Sequence, residues 1–346
     1  MIFMLSKIYN RLYNAFIWRW NLYINHPFFR WIDNRRVQKQ RKDAIRIYID
    51  IIERKPISSI LNEFKHVKSY EIQQILKKMN LYGYKKYTSL NKEPSVSIVM
   101  PHYNHQQYIG EALDSLVKQT VKPDEVIIID DLSKDFDLLE KIVEKYKSSL
   151  PIRFERADTK LYCGPAKSYG ASLAKGDIVI MHDADDISHP QRIEIVKLFF
   201  NKYPDCVQLS NEMLLFSGKF KGFDQNYNLN ELEQNVMDNK PFIDRCREIF
   251  EFQLFSKRKK NGVYRAGSYG PYGCSGSSGG ITLRKDVLND FSYSSQEELR
   301  TAFTSWDDYE FCTYVFLSTL AVSAIKFPLY AYRTDSSTYI GSWSEN

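Results

Sequence analysis

Ile127-Ile128-Ile129-Asp130-Asp131 and Ile178-Val179-Ile180-Met181-His182-Asp183-Ala184-Asp185-Asp186 are two apolar runs that end abruptly in carboxylates. Short runs rich in Ile and Val read as strands buried on both faces. A carboxylate cannot continue into such a core unpaired, so the acids belong where the strands leave the sheet. In open α/β sheets that carboxyl edge is where ligands bind. Asp183-Ala184-Asp185 followed by Asp186 gathers negative charge that needs a cation, and hard oxygen donors suit Mg²⁺ or Mn²⁺. Such an ion is suited to gripping a diphosphate.

Working outward, the pattern from Val96 onward alternates between strand and helix. It predicts strands at 96–100, 126–129, 152–155, 178–182 and 206–209, separated by helices at 107–119, 136–148, 164–174 and 190–202. That alternation means an α/β fold with a mostly parallel, Rossmann-like central sheet flanked by helices. Residues 211–280 lose the rhythm, being polar, aromatic and loop-rich, and end in the glycine-studded Gly267 to Gly280. Beyond them a strand at 281–283, a helix at 306–319 and short strands at 321–327 and 330–333 are expected.

Upstream, residues 43–90 read as short helices, with Ile45, Ile47, Tyr48, Ile51 and Ile52 on one face. They carry no chemistry and read as a helical stalk or cap. Residues 1–42 are aromatic and basic, with nine Lys or Arg against one Asp, so the remaining chain nets −2 although the whole is +6. The basic character therefore lies outside the α/β body, which argues against a nucleic-acid protein. Residues 1–42 read either as an interfacial helix on an anionic membrane surface, with Trp18 and Trp20 at the headgroups, or as a helix packed on protein. The domain division that follows is 1–90 as a helical N-terminal extension and 91–346 as the main domain. The latter splits into two halves, 91–210 and 211–346. Five scattered cysteines without a Cys-x-x-Cys fit a reducing cytoplasm. No apolar stretch reaches the about 18 residues of a membrane span, and Lys7, Arg11 and Arg19 interrupt any signal-peptide core.

Taken together and in order, the motifs resemble the family 2 glycosyltransferases of GT-A fold, from about Ser95 to Ser342. The elements are Pro101-His102-Tyr103-Asn104, Asp130-Asp131, Gly164 to Gly170, Asp183 to Asp186, and Trp306-Asp307-Asp308. The resemblance implies an inverting, metal-dependent transfer of a sugar from a nucleotide-sugar, UDP-linked, to a glycan or lipid-linked acceptor, with residues 91–210 binding the nucleotide-sugar and 211–346 the acceptor. It implies that Pro101, Tyr103 and Asn104 border the nucleotide and that Asp131 accepts the N3–H of uracil. Lys167 meets a phosphate or sugar oxygen, standing where the family has Arg. Ser168 replaces the family's Asn. Asp185 ligates Mn²⁺ or Mg²⁺, while Asp183 contacts the ribose or metal-bound water. Asp308 is the implied catalytic base, with Asp307 and Trp306 on the acceptor; Asp307 replaces the usual Glu. Tyr332-Arg333-Thr334-Asp335 stands where relatives have Tyr-Arg-x-His.

The setting implied is bacterial surface polysaccharide synthesis on the cytoplasmic face, with residues 1–42 as the peripheral membrane contact. Two other readings are a sugar nucleotidyltransferase and a non-catalytic carbohydrate-binding or scaffold protein. The first would show a Gly-rich signature with Arg and Lys near its first strand, which this chain lacks after Met100.

Overall fold

Val96-Ser97-Ile98-Val99-Met100 has apolar residues on both faces, and a computed structural model places it at the centre of a sheet. The structure describes residues 42–67, 70–237, 280–293, 295 and 307–336. Its strands are β1 (Val96–His102), β2 (Glu125–Asp130), β3 (Ile152–Arg156), β4 (Ile178–Met181), β5 (Ile187–Ser188), β6 (Gln208–Phe216), β7 (Val236–Met237), β8 (Ile281–Arg284) and β9 (Val322–Arg333). They join in the order β3-β2-β1-β4-β8-β6-β9-β5, with β7 against β9. The helices are α1 (42–52), α2 (Ile57–Glu63), α3 (Tyr70–Tyr82), α4 (Gln106–Val117), α5 (Phe136–Glu144), α6 (Cys163–Leu173), α7 (Arg192–Lys202), α8 (Leu232–Asn235), α9 (Lys285–Asp290) and α10 (Asp307–Thr319).

The expected α/β architecture is present, with a parallel half built from β3, β2, β1 and β4. The chain steps from β1 outward to β3, then returns across β1 to lay down β4. The strand order therefore reverses between β1 and β4, the place where α/β sheets open a crevice at their carboxyl ends. Past β4 the sheet is mixed: β8 runs antiparallel to both β4 and β6, while β6 and β9 are parallel. The two short strands expected at 321–327 and 330–333 are one strand, β9. Pro328 sits within it opposite Glu212, where the register slips on either side of that residue. A bulge of this kind lets a strand carry a proline that cannot donate to the ladder. β6 likewise runs on to Phe216, beyond the expected end at Leu209.

Each sheet face is covered. On one, Ile98, Met100, Ile128 and Ile180 pack against Leu113 of α4 and Phe199 of α7. On the other, Val99, Ile129 and Val179 meet α6, α10 and the N-terminal helices. Gly170 lets α6 lie close on the sheet: a Cβ there would stand 2.5 Å from Val99 Cγ1 and 3.2 Å from Ile129 Cγ1. Ala44, Ile47 and Ile51 of α1 and Leu76 of α3 are buried in the same cluster as Phe311 and Val315 of α10. The segment after α1 also closes the end of α10. Arg54, in the left-handed region at φ 60°, donates from Nη1 to Leu317 O at 2.6 Å, and Lys85 N donates to Ser318 O at 3.0 Å. The last carbonyls of a helix lack partners within it, and here residues 54 and 85 supply them. Residues 1–41, where the membrane-facing reading falls, lie outside the described residues.

Candidate active site

The carboxyl ends of β1, β2 and β4 are brought into line by their registers. His102 of β1 faces Asp130 of β2, and Val99 faces Met181 of β4. Two backbone bonds hold the ends together just outside: Asp131 N to His102 O at 2.8 Å, and His182 N to Val99 O at 2.9 Å. The two acidic stretches thus emerge on either side of β1, with Tyr103-Asn104-His105 between them.

Three residues that are not glycine turn left-handed along this edge: Asn104 (φ 55°), Leu132 (φ 61°) and Tyr162 (φ 65°). Asn adopts this region readily, whereas Leu and Tyr do so at a cost of about 1–3 kcal/mol each. The network that holds them is local. Asn104 N donates to Ser133 Oγ at 2.9 Å, and Lys134 N returns to Asn104 Oδ1 at 2.9 Å. Ser133 N in turn donates to Asp130 Oδ1 at 3.2 Å. Asp130 is fully buried beside His102 Nδ1 at 3.3 Å. Burial pushes its carboxyl up, but the bonds from His102 and Ser133 outweigh burial and hold its pKa below the ordinary value. Asp130 therefore caps the turn after β2.

Asp131 anchors the next turn. It accepts Leu161 N at 2.6 Å and Tyr162 N at 2.9 Å, and pairs with Lys160 Nζ at 2.8 Å. The same ammonium stands 2.9 Å from the centre of the Tyr103 ring, which is 43% exposed. Asp131, Tyr103 and Lys160 thus form one face of the crevice beside β1, and Lys160 had no signal in the sequence. Pro101 lies within β1 opposite Ile129.

The opposite face is the loop after β4. Asp185 is nearly buried, its Oδ2 lying 3.9 Å from His105 Nδ1. Asp186 turns inward, where Oδ1 accepts Arg333 N at 3.0 Å. Burial, then repulsion from Asp185 and Asp183, pushes its carboxyl well above the usual carboxylate range. Burial and the nearby Arg192 charge hold His182 down to about 3, so that ring is neutral. Burial likewise lowers His105, against the opposing pull of Asp185.

Arg333 at the end of β9 clamps this loop. Its Nε donates to Asp185 O at 3.0 Å, Nη1 to Gly218 O at 2.8 Å and Nη2 to Glu111 Oε2 at 2.6 Å. The guanidinium lies between the Tyr108 and Phe216 rings at 4.4 and 4.5 Å. Asp335, standing where relatives have His, accepts Gly218 N at 2.7 Å and closes the same turn. Arg333→Met would strand the buried Asp185 carbonyl, and an unsatisfied buried acceptor costs about 1–3 kcal/mol. We expect a lowered denaturation midpoint for Arg333→Met and a much smaller change for Glu111→Gln, since the Glu111 carboxylate is half exposed. Equal midpoints for Arg333→Met and wild type in urea melts would refute the clamp.

The remaining expected residues lie on α6 and α10. Lys167 is buried, its Nζ 5.3 Å from the centre of the Tyr293 ring. Ser168 Oγ accepts Tyr293 N at 3.0 Å, so the residue that stands for the family's Asn holds Tyr293 in place. Tyr293 stacks on Phe311 of α10 with centres 4.1 Å apart. Asp307 and Asp308 form the first turn of α10. The described backbone places them there, and Trp306 lies outside the described residues.

Among the described residues no three His, Cys, Asp or Glu side chains gather as a ready metal centre. Asp185 and its neighbour His105 nevertheless suit an ion that completes its shell with substrate phosphates, since Mg²⁺-type sites use one or two carboxylates in this way. Among the described residues no helix is long and apolar enough to cross a membrane.

Residues 97–258 match the model of glycosyl transferase family 2. The chain is 40% identical over 105 residues to the amylovoran biosynthesis glycosyltransferase AmsB of Erwinia amylovora, covering 30% of this chain and 35% of that protein. It is 33% identical over 120 residues to an Escherichia coli UDP-Gal:alpha-D-GlcNAc-diphosphoundecaprenol beta-1,3-galactosyltransferase, covering 34% of this chain and 43% of that one. The chain thus spans less than half the length of either relative. Among solved structures, Staphylococcus aureus TarS in complex with UDP-GlcNAc aligns with a TM-score of 0.48 at 22% identity, over 72% of this chain and 61% of that one.

Proposed function

We propose, on the match of residues 97–258 to the model of glycosyl transferase family 2, that the chain is a glycosyltransferase that moves a sugar, with inversion, from a UDP-linked donor to a hydroxyl of a glycan or lipid-linked acceptor. The observation that carries this reading is the placement of Asp131 and Asp185 just beyond the carboxyl ends of β2 and β4, the two strands that flank β1 at the reversal in strand order. A nucleotide laid across β1 spans from one acid to the other. The relative named for UDP-Gal and a diphosphoundecaprenol-linked sugar supports a UDP donor and a lipid-linked acceptor. Bacterial surface polysaccharide synthesis at the cytoplasmic face, with residues 1–42 against an anionic membrane, is part of the same proposal.

The roles divide as follows. Asp131 accepts the uracil N3–H while Tyr103, Pro101 and Asn104 border the base and ribose. Asp183 meets the ribose or metal-bound water, and Lys167 a phosphate or sugar oxygen. Asp185 would hold a divalent ion, Mn²⁺ or Mg²⁺, which when bound screens the charge building on the diphosphate. Asp307 and Trp306 position the acceptor. Asp308 takes the proton of the acceptor hydroxyl as its oxygen bonds to the anomeric carbon and the bond to the diphosphate breaks.

A ligand that binds only the native state raises the melting temperature, by about 2.7 kcal/mol of stability at 100 times Kd. We expect UDP and UDP-sugars with Mn²⁺ to raise the melting temperature of the full chain, and GDP and ADP to do so far less. Absence of any shift with UDP-linked ligands, together with no UDP release from UDP-sugars, would overturn the proposal.

A further inference from the structure

The carboxylates around Asp185 are mostly committed elsewhere. Asp186 Oδ1 takes the Arg333 amide, and Asp335 Oδ2 takes the Gly218 amide. Asp186 Oδ2 is buried and finds no partner in the protein. His105 differs from all of these. It precedes α4, and its carbonyl accepts Tyr108 N at 2.9 Å and Ile109 N at 3.1 Å, which fixes the backbone. Its side chain is 15% exposed, and Nδ1 stands 3.9 Å from Asp185 Oδ2. That separation is too long for a hydrogen bond, which needs about 2.7–3.2 Å. Among the described residues neither ring nitrogen makes a hydrogen bond. The edges nearby are the rings of Tyr108 and His102, 5.8 and 6.4 Å away between centres. Two donors each about 2.0–2.2 Å from one small divalent ion stand at most a little over 4 Å apart, which brackets the observed gap.

We propose that His105 is the second protein ligand of the divalent ion at Asp185. The inference rests on the proposed function and deepens it by naming a residue that sets which ion is used. An imidazole nitrogen is a softer donor than a carboxylate and suits first-row transition ions over Mg²⁺. The Asp185–His105 pair therefore favours Mn²⁺, and losing the imidazole should narrow the gap between Mn²⁺ and Mg²⁺.

The test uses the full chain with UDP and MnCl₂. Pulsed electron paramagnetic resonance of the bound Mn²⁺ should show a directly coordinated imidazole nitrogen in wild type. Labelling the wild type with ¹⁵N-histidine should change that signal, a measurement that needs no variant to fold. His105→Gln should lose the signal and bind Mn²⁺ about 10-fold or more weakly in the presence of UDP, since even outer partners of metal ligands cost 10–100-fold. Mn²⁺ bound with UDP but without a histidine nitrogen, or with one that survives His105→Gln, overturns the inference and leaves the metal reading of Asp185 standing. No Mn²⁺ binding to the wild-type UDP complex would remove both.

Discussion

Asp185→Ala is expected to abolish metal-dependent UDP binding while leaving the melting temperature of the free protein nearly unchanged. The side chain is only 11% exposed, yet among the described residues its one ion-pair partner is His105 at 3.9 Å. The bonds that shape the loop use the Asp185 carbonyl and the Asp186 carboxyl, and both survive truncation. Removing Asp185 also relieves the repulsion that helps to raise Asp186. Groups arranged for binding commonly oppose stability, so their loss leaves the fold intact. Binding should respond strongly, because without the ion the diphosphate charge would face the acidic loop unscreened; a loss of about 100-fold or more in affinity is expected, about 2.8 kcal/mol. Calorimetry of UDP with Mn²⁺ and with EDTA distinguishes the cases. Wild type with EDTA should resemble Asp185→Ala with Mn²⁺. Unchanged UDP affinity in both would remove the metal from the proposal.

Asp130 is the contrasting acid, and the contrast shows what a sequence can reveal. Both acidic stretches were legible because an apolar run that stops at carboxylates must stop at a sheet edge. The division of labour between adjacent acids was only half legible. Asp130 disappears into bonds with His102 and Ser133, whereas Asp131 takes two amides and an ammonium from residues 160–162. That segment carries no signature, because its work is done by backbone N–H groups that every residue possesses. Arg333 was visible only as one letter of a motif. Its partners Asp185, Gly218 and Glu111 lie 148, 115 and 222 residues away, so no local pattern records them. The parallel half of the sheet followed from its alternation of strand and helix. The mixed half did not, since β8 is a four-residue buried strand and β9 passes through Pro328 by shifting register. The N-terminal helices read as a stalk or cap without chemistry, and the segments that follow α1 and α3 bring residues 54 and 85 to the end of α10. The groups they meet are backbone carbonyls far along the chain, which no local pattern records.

Asp308→Asn is expected to retain donor affinity and lose turnover by about 10² to 10⁴, the usual cost of removing a general base. Asp308 occupies the second acid position of the pair that opens α10, and α10 begins at Asp307. At a helix N-terminus the dipole favours the ionised carboxylate, the form that accepts a proton. The helix is fixed along its length: Phe311 stacks on Tyr293, itself held by Ser168, and Leu317 O is closed by Arg54. A rigid element of this kind can hold a base within the tolerance that proton transfer demands. Asn keeps the size of Asp and can still accept a hydrogen bond, so the folded state and the donor site should be spared. The loss should therefore fall on kcat. Asp307→Asn, by contrast, should mainly raise KM for the acceptor. Steady-state assays with a UDP-sugar and a lipid-linked or glycan acceptor separate the two. A kcat for Asp308→Asn within a few-fold of wild type would place the base elsewhere, and a large kcat loss in Asp307→Asn alone would move it to that residue.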